Sequence, residues 1–109
     1  MSREPNPHFV YTIEPSRPEL VTDPGAWTEE EVRIAEAHFA YLQRATEERI
    51  VILAGRSLDG QGPAVVIFEA ASQAAAQQFM EGDPFIASGL MLGRLHPFRV
   101  ALVREPGNA

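Results

Sequence analysis

The stretch TEEEVRIAEAHFAYLQRATEE, residues 28–48, decides the fold, because it predicts one long amphipathic helix around which the other elements can be arranged. Thr28 and Glu31 have the spacing of a capping box, and Trp27 and Val32 have that of a hydrophobic staple. One side of the helix is polar or small and can face water: Glu29, Arg33, Glu36, Ala40, Gln43 and Glu47. The other side is expected to face the core, and it carries Ile34, Ala35, Tyr41, Leu42 and Ala45.

His38 occupies the middle of this apolar side. An unperturbed histidine titrates near pH 6.5, at roughly the pH where a general acid or base works best. Two interpretations are open at this point. The ring is either a core side chain that is hydrogen bonded to a backbone carbonyl, or a pocket residue that exchanges protons. A half-satisfied buried imidazole is costly, and this favours the pocket.

The composition of the 109 residues indicates one globular domain, with 45% hydrophobic and 22% charged residues. A net charge of -6 argues against binding nucleic acid or an anionic membrane surface. No apolar run approaches the roughly 20 residues of a membrane-spanning helix, and the opening residues lack a secretory signal. The absence of cysteine excludes disulfides, thiol nucleophiles and thiolate metal sites. The expected location is the cytoplasm.

The remaining chain predicts further elements on both sides of the long helix. They are a strand at 8–13, a proline-rich loop at 14–27, a hairpin of strands at 50–54 and 64–68, a helix at 72–81, a turn at 83–88 and a final strand at 90–103. In the final strand, Gly93 and Pro97 predict a bulge or an edge position. The order βαββαβ predicts an α+β, ferredoxin-like fold with an antiparallel sheet and both helices on one face. The domain core is expected over 8–103, with flexible ends at 1–7 and 104–109.

The hairpin also predicts how the protein assembles. Both of its strands, IVILA at 50–54 and AVVIF at 64–68, are apolar at every position. Two helices cover only one face of the sheet, and an uncovered face normally carries polar residues at alternate positions. Because both faces are apolar here, we expect the uncovered face to meet the same face of a second copy in a homodimer.

Several motifs together resemble the YCII-related family of small α+β proteins. They are AHFAYLQ at 37–43, LAGR at 53–56, IFEA at 67–70 and GDPF at 82–85, and the segments FVYTIEP at 9–15 and PFRVAL at 97–102 fit the same pattern. The resemblance implies a dimeric α+β barrel, in which ferredoxin-like sheets pair, and an active-site His–Asp pair carried here by His38 and Asp83. It also implies chemistry on small organic molecules, in some relatives the breakdown of substituted aromatic rings.

Asp83 has two interpretations from its local sequence. In the GDPF motif, aspartate is a favoured N-cap and Pro84 is a favoured first helical residue, so capping alone accounts for it. Alternatively, the carboxylate caps with one oxygen and orients the imidazole of His38 with the other. The local sequence leaves both interpretations open.

Four further residues are candidates for binding a substrate: Tyr41, Arg56, Ser57 and Phe85. Arg56 can contact an anion, although a surface ion pair is the simpler interpretation. A Ser–His–Asp triad through Ser57 is disfavoured, because no nucleophile-elbow glycine pattern surrounds this serine. Three scattered histidines predict no metal site, and no glycine-rich phosphate motif is present.

The preferred prediction is therefore a cofactor-free enzyme in which His38 exchanges protons with a small molecule and Asp83 supports the imidazole. Proton abstraction or elimination is the reaction that such a pair performs without a metal or a nucleophile. The alternative is a non-catalytic dimeric module that binds a small ligand or a partner, with His38 as a hydrogen-bonding residue of the pocket.

Overall fold

A computed structural model describes residues 6–104 of the chain, and the predicted flexible ends lie largely outside this range. The described elements are β1 (His8–Pro15), α1 (Glu19–Thr22), a 3-10 turn (Pro24–Ala26), α2 (Glu29–Glu47), β2 (Val51–Arg56), β3 (Ala64–Glu69), α3 (Gln73–Gly82), α4 (Pro84–Ala87) and β4 (Met91–Phe98). The strands form one antiparallel sheet in the order β2-β3-β1-β4. This order confirms the predicted ferredoxin-like α+β fold.

The core lies between the sheet and the two longer helices. In β1 every second side chain is buried, namely Phe9, Tyr11 and Ile13, as the alternation of a strand requires. These side chains belong to one apolar cluster with residues of α2 and α3, including Leu42 and Met80. Both helices therefore pack on the same face of the sheet.

Helix α2 begins and is oriented as the sequence predicts. The Thr28 side chain accepts from the Glu31 backbone N–H at 3.1 Å, and the Glu31 carboxylate accepts from the Thr28 N–H at 3.0 Å. Leu42 and Ala45 are buried and the rest of the predicted apolar side is half-buried, whereas the predicted polar side is exposed. His38 is half-buried within the apolar side.

The prediction of a loop throughout 14–27 is wrong. Strand β1 continues to Pro15, and α1 and the 3-10 turn follow it. Pro18 and Pro24 stand at the beginnings of these two turns, where a helix does not need the missing backbone N–H. The prolines that predicted a loop therefore begin helical turns instead.

This segment is attached to α2 and to itself by polar contacts. The Arg17 guanidinium lies 2.6 Å from the Glu31 carboxylate, and the Trp27 indole N–H donates to the Leu20 carbonyl at 2.9 Å. The Leu20 side chain is buried. The segment is therefore an ordered cover beside the beginning of α2.

The predicted final strand is too long, because β4 ends at Phe98 instead of continuing to residue 103. Phe98 pairs with His8, the first residue of β1, so the neighbouring strand offers no later partner. β4 is an edge strand, as Pro97 predicted, and its pairing with β1 has no register shift. The irregularity lies instead in β2, between Val51 and Leu53.

Candidate active site

The imidazole of His38 projects from α2 to the junction of α3 and α4. Its Nδ1 atom lies 2.7 Å from Oδ1 of Asp83, 45 residues away in the sequence. The His38 side chain is 16% exposed, whereas the Asp83 side chain is fully buried. The fold thus brings together the two residues that the sequence proposes as a pair, at hydrogen-bonding distance.

Asp83 caps a helix and contacts His38 at the same time. The residues after it form the short helix α4 where the sequence predicts only a turn, and Oδ1 of Asp83 accepts from the Phe85 backbone N–H at 3.0 Å. The expectation of one oxygen for the cap and the other for the imidazole is wrong, because Oδ1 serves both. Oδ2 accepts instead from the Tyr11 hydroxyl, at 2.7 Å.

Tyr11 is the member of this site that the sequence analysis missed. Its inward position in β1 was predictable from the alternation of the strand, and a buried tyrosine hydroxyl normally has a partner. The identity of that partner was not predictable, because 72 residues separate Tyr11 from Asp83. Burial, the Asp83 charge and the hydrogen bond to Asp83 raise the pKa of Tyr11 above its ordinary value of 10.0, so this hydroxyl keeps its proton.

The contacts of Asp83 assign the two nitrogens of the His38 ring different tasks. As a carboxylate, Asp83 accepts from Tyr11, Phe85 and the Nδ1–H of His38, which leaves the lone pair of the neutral ring on Nε2. Every buried side-chain nitrogen or oxygen of residues 6–104 has a hydrogen-bond partner. Nε2 of His38 has no partner among these residues, so this atom is not buried. Nε2 is therefore the accessible atom of the ring, and it can take up or release a proton.

One aromatic side chain stacks on the imidazole, and a second one packs against the first. The Phe85 ring stacks on His38 with a centroid distance of 4.0 Å and an interplanar angle of 23°. Trp27 packs edge-on against Phe85 at a centroid distance of 6.4 Å, which connects the cover over 14–27 to the site. Phe85, a predicted substrate-binding residue, thus contacts His38 directly.

The other three predicted binding residues make different contacts. The Tyr41 hydroxyl donates to the Phe79 carbonyl at 2.7 Å, and burial with the nearby Asp83 charge raises the pKa of Tyr41. Arg56 ends β2 with an exposed side chain, and the Ser57 hydroxyl donates to the Pro63 carbonyl within the hairpin. Among residues 6–104, no hydrogen bond or ion pair joins Arg56 or Ser57 to His38 or Asp83.

A shallow groove of about 520 Å³ runs along α2, and neither His38 nor Asp83 lines it. Its walls are mainly apolar, formed by Trp27, Val32, Ala35, Glu36 and Phe39. In the described part of the chain, no group of three or more His, Asp or Glu side chains is arranged to hold a metal ion. Likewise, none of the described helices is long and apolar enough to cross a bilayer.

Comparison with known proteins agrees with this arrangement of elements. The model of the YCII-related domain family matches residues 9–96. The chain is also similar to the solved 5-chloro-2-hydroxyhydroquinone dehydrochlorinase from Burkholderia phenoliruptrix, in complex with 2,5-dihydroxybenzoquinone. The TM-score is 0.62 and the identity 22%, over 84% of this chain and 93% of that chain. No curated protein matches the sequence.

Proposed function

The chain belongs to the YCII-related domain family, and we propose that it is a cofactor-free enzyme that uses His38 as a general acid and base on a small organic molecule. One observation carries the proposal: Nδ1 of His38 lies 2.7 Å from a fully buried carboxylate, while Nε2 stays accessible. A histidine base whose Nδ1–H donates to a carboxylate has a defined tautomer, and the negative charge stabilises its protonated form.

In the proposed reaction, Nε2 takes a proton from a C–H or O–H group of the substrate. In an elimination from a halogenated hydroxylated ring, one hydroxyl proton first moves to the ring carbon that carries the halogen, which gives the keto form. Nε2 then takes the proton of a second hydroxyl, the electron pair of that O–H bond forms a C=O bond, the ring double bonds shift, and the halide departs with its own bonding pair. Asp83 stabilises the imidazolium that results, and the proton then leaves through Nε2 to the leaving group or water. Each step needs only His38 as the base and the Asp83 carboxylate as its hydrogen-bond partner, so the proposed reaction uses no cofactor.

Halogenated and hydroxylated aromatic compounds are the proposed substrate class. The support is the fold shared with a dehydrochlorinase of a chlorinated hydroquinone, together with the Phe85 ring that stacks on His38 and the Trp27 ring that packs against Phe85. A flat ring can stack on such side chains. Tyr41, Arg56 and Ser57 remain candidates for contacts with the hydroxyl or anionic groups of the substrate.

The test is turnover of a panel of halogenated and hydroxylated aromatic compounds, followed by ultraviolet absorbance and by halide release. His38→Gln should lower the rate by about 100-fold or more, because the proton acceptor is lost. His8→Gln is the matched control and should keep wild-type turnover, since the described His8 ring contacts the Val100 backbone and not Asp83. Equal turnover by His38→Gln and wild type would exclude His38 as the base.

We also propose that the uncovered sheet face pairs two copies of the chain. Apolar residues form a row across this face, in which Leu53 lies opposite Ile67 and Ile67 opposite Val10. Leu53 is 52% exposed, and beyond β4 the apolar side chains of Leu102 and Val103 are 94% and 71% exposed. Covering these residues is the expected reason for a dimer, with more than about 1,200 Å² buried in total.

Light scattering at micromolar concentration should give twice the mass of one chain. Ile67→Lys should give a single-chain mass, because it introduces a charge at the centre of the row. Leu58→Lys is the control, because Leu58 follows β2 in the hairpin turn and is outside this row. A wild-type protein of single-chain mass would contradict the dimer.

A non-catalytic ligand-binding module is the second candidate, and one observation favours it. The groove of about 520 Å³ is lined by residues of the cover and α2, including Trp27 and Phe39, and His38 is not part of its wall. A binding protein would hold an apolar ligand there without using the proton on Nε2. In that case Phe39→Ala would abolish ligand binding, and His38→Gln would leave it intact.

A further inference from the structure

Tyr11 stands at the centre of the sheet, and its position is fixed from several directions. It belongs to the inner strand β1, opposite Val66 of β3 and Leu95 of β4. The residue is fully buried, and its ring meets Phe68 edge-on at 5.7 Å and Phe79 at 6.3 Å. The ring therefore has no room to change its orientation without disturbing the core.

The hydroxyl of this fixed ring holds the Asp83 carboxylate. It lies 2.7 Å from Oδ2 of Asp83, and this is its one hydrogen bond within residues 6–104. The raised pKa of Tyr11 keeps its proton in place, so the hydroxyl acts as the donor. A hydrogen bond to a charged acceptor in a buried site is stronger than a neutral one.

The second oxygen of Asp83 is thereby directed to His38. With Oδ2 held by Tyr11, Oδ1 faces both the Phe85 N–H and the Nδ1 atom of His38. Without the hydroxyl, Oδ2 would be a buried acceptor with no partner, and such a group costs about 1–3 kcal/mol. The carboxylate could reduce this cost by rotating, which would weaken its contact with Nδ1.

We infer that Tyr11 is a positioning residue of this site: its hydroxyl orients the Asp83 carboxylate and so keeps the proton of the neutral His38 ring on Nδ1. Tyr11 bonds Asp83 and, within residues 6–104, makes no hydrogen bond or ring stacking with His38, so it acts through the carboxylate. The catalytic consequence of this role rests on the proposed function. The effect on the His38 tautomer does not, because it can be measured without any substrate.

The test compares wild type and Tyr11→Phe by ¹⁵N NMR of histidine-labelled protein, above the pH at which the ring deprotonates. In wild type, the two ring nitrogens of His38 should give well-separated signals, with the proton on Nδ1. In Tyr11→Phe, the separation should shrink as both tautomers become populated. Turnover should fall by about 10- to 100-fold through kcat, with KM nearly unchanged.

Two controls come from the chain itself. Nδ1 of His8 accepts from the Val100 N–H at 3.1 Å, so neutral His8 carries its proton on Nε2 and provides an opposite-tautomer reference in every spectrum. Tyr41→Phe also deletes one tyrosine hydroxyl, but this hydroxyl bonds the Phe79 carbonyl and not Asp83. It should leave the His38 signals as in wild type.

Unchanged His38 signals in Tyr11→Phe would overturn the inference, even if the variant were less stable. Folded and unfolded molecules give separate signals, so reduced stability does not hide this result. The proposed function fails independently if His38→Gln keeps turnover, whatever the tautomer of the wild-type ring. A shift of the His38 signals in Tyr11→Phe and also in Tyr41→Phe would equally count against a specific role for Tyr11.

Discussion

Replacing Asp83 with asparagine should destabilise the protein although asparagine caps helices about as well as aspartate. The reason is that three donors surround the buried carboxylate, whereas an amide has one oxygen that accepts and one nitrogen that only donates. The amide oxygen can face His38 and the Phe85 N–H, which directs the amide nitrogen to Tyr11. The Tyr11 oxygen can accept from this nitrogen, but the Tyr11 hydrogen then has no acceptor.

A buried polar group without a partner costs about 1–3 kcal/mol. Asp83→Asn should therefore lower the free energy of unfolding by about 1–3 kcal/mol and the Tm by about 4–12 °C, at about 4 °C per kcal/mol for a domain of this size. A residue that only caps would not produce this loss, because asparagine would replace it without leaving a buried group unpaired.

The assay is equilibrium unfolding in urea of wild type, Asp83→Asn, Tyr11→Phe and the double variant. Tyr11→Phe leaves Oδ2 of Asp83 unpaired, and the double variant leaves only the amide nitrogen of the substituted side chain at position 83 unpaired. The double variant should therefore lose about as much free energy of unfolding as either single variant. The interaction energy is then on the order of 1–3 kcal/mol. Asp59→Asn is the matched control, because its exposed carboxylate accepts from the nearby Gln61 and Gly62 N–H groups, which an amide oxygen can also accept. The stability of this variant should stay near wild type.

Additive costs, within about 0.5 kcal/mol, would refute the reasoning, because Tyr11 and Asp83 would then not act as a unit. An Asp83→Asn protein with wild-type stability would refute it as well, since the buried carboxylate would not need its Tyr11 donor.

Three further outcomes follow from the same contacts. His38→Ala should cost less than about 2 kcal/mol in chemical denaturation, because both oxygens of Asp83 keep a donor; a loss of about 4 kcal/mol would indicate a core histidine. Hydrogen bonds from Thr28 and Arg17 lower the pKa of Glu31, so its stabilisation is present above pH 4.5 and is lost as the pH falls further; Glu31→Gln should flatten the stability profile below that pH. The raised pKa of Tyr11 stabilises the fold below pH 10.0, and this contribution is lost as the pH rises, because the unfolded chain ionises first; Tyr11→Phe should lessen alkaline unfolding, followed by circular dichroism.

The sequence alone was sufficient for the elements whose causes are local. The capping box of Thr28 and Glu31 and the 3.6-residue repeat specify where α2 begins and which side of it is buried. The order of strands and helices then leaves few topologies, and the ferredoxin-like sheet is the one that forms. Where proline was interpreted as a loop former at 18 and 24, the local signal was ambiguous, since proline also begins helical turns.

The site depends on contacts that no local pattern contains. The resemblance to the YCII-related family implied His38 and Asp83 as a pair, which no local pattern did. The donor from Tyr11 and the shared use of Oδ1 appear only when β1, α2 and the α3–α4 junction pack together. Helix caps and strand alternation act over a few residues, so composition and spacing record them. A hydrogen bond between residues 72 apart depends on angstrom-scale distances between packed elements, and these are set by the whole core at once.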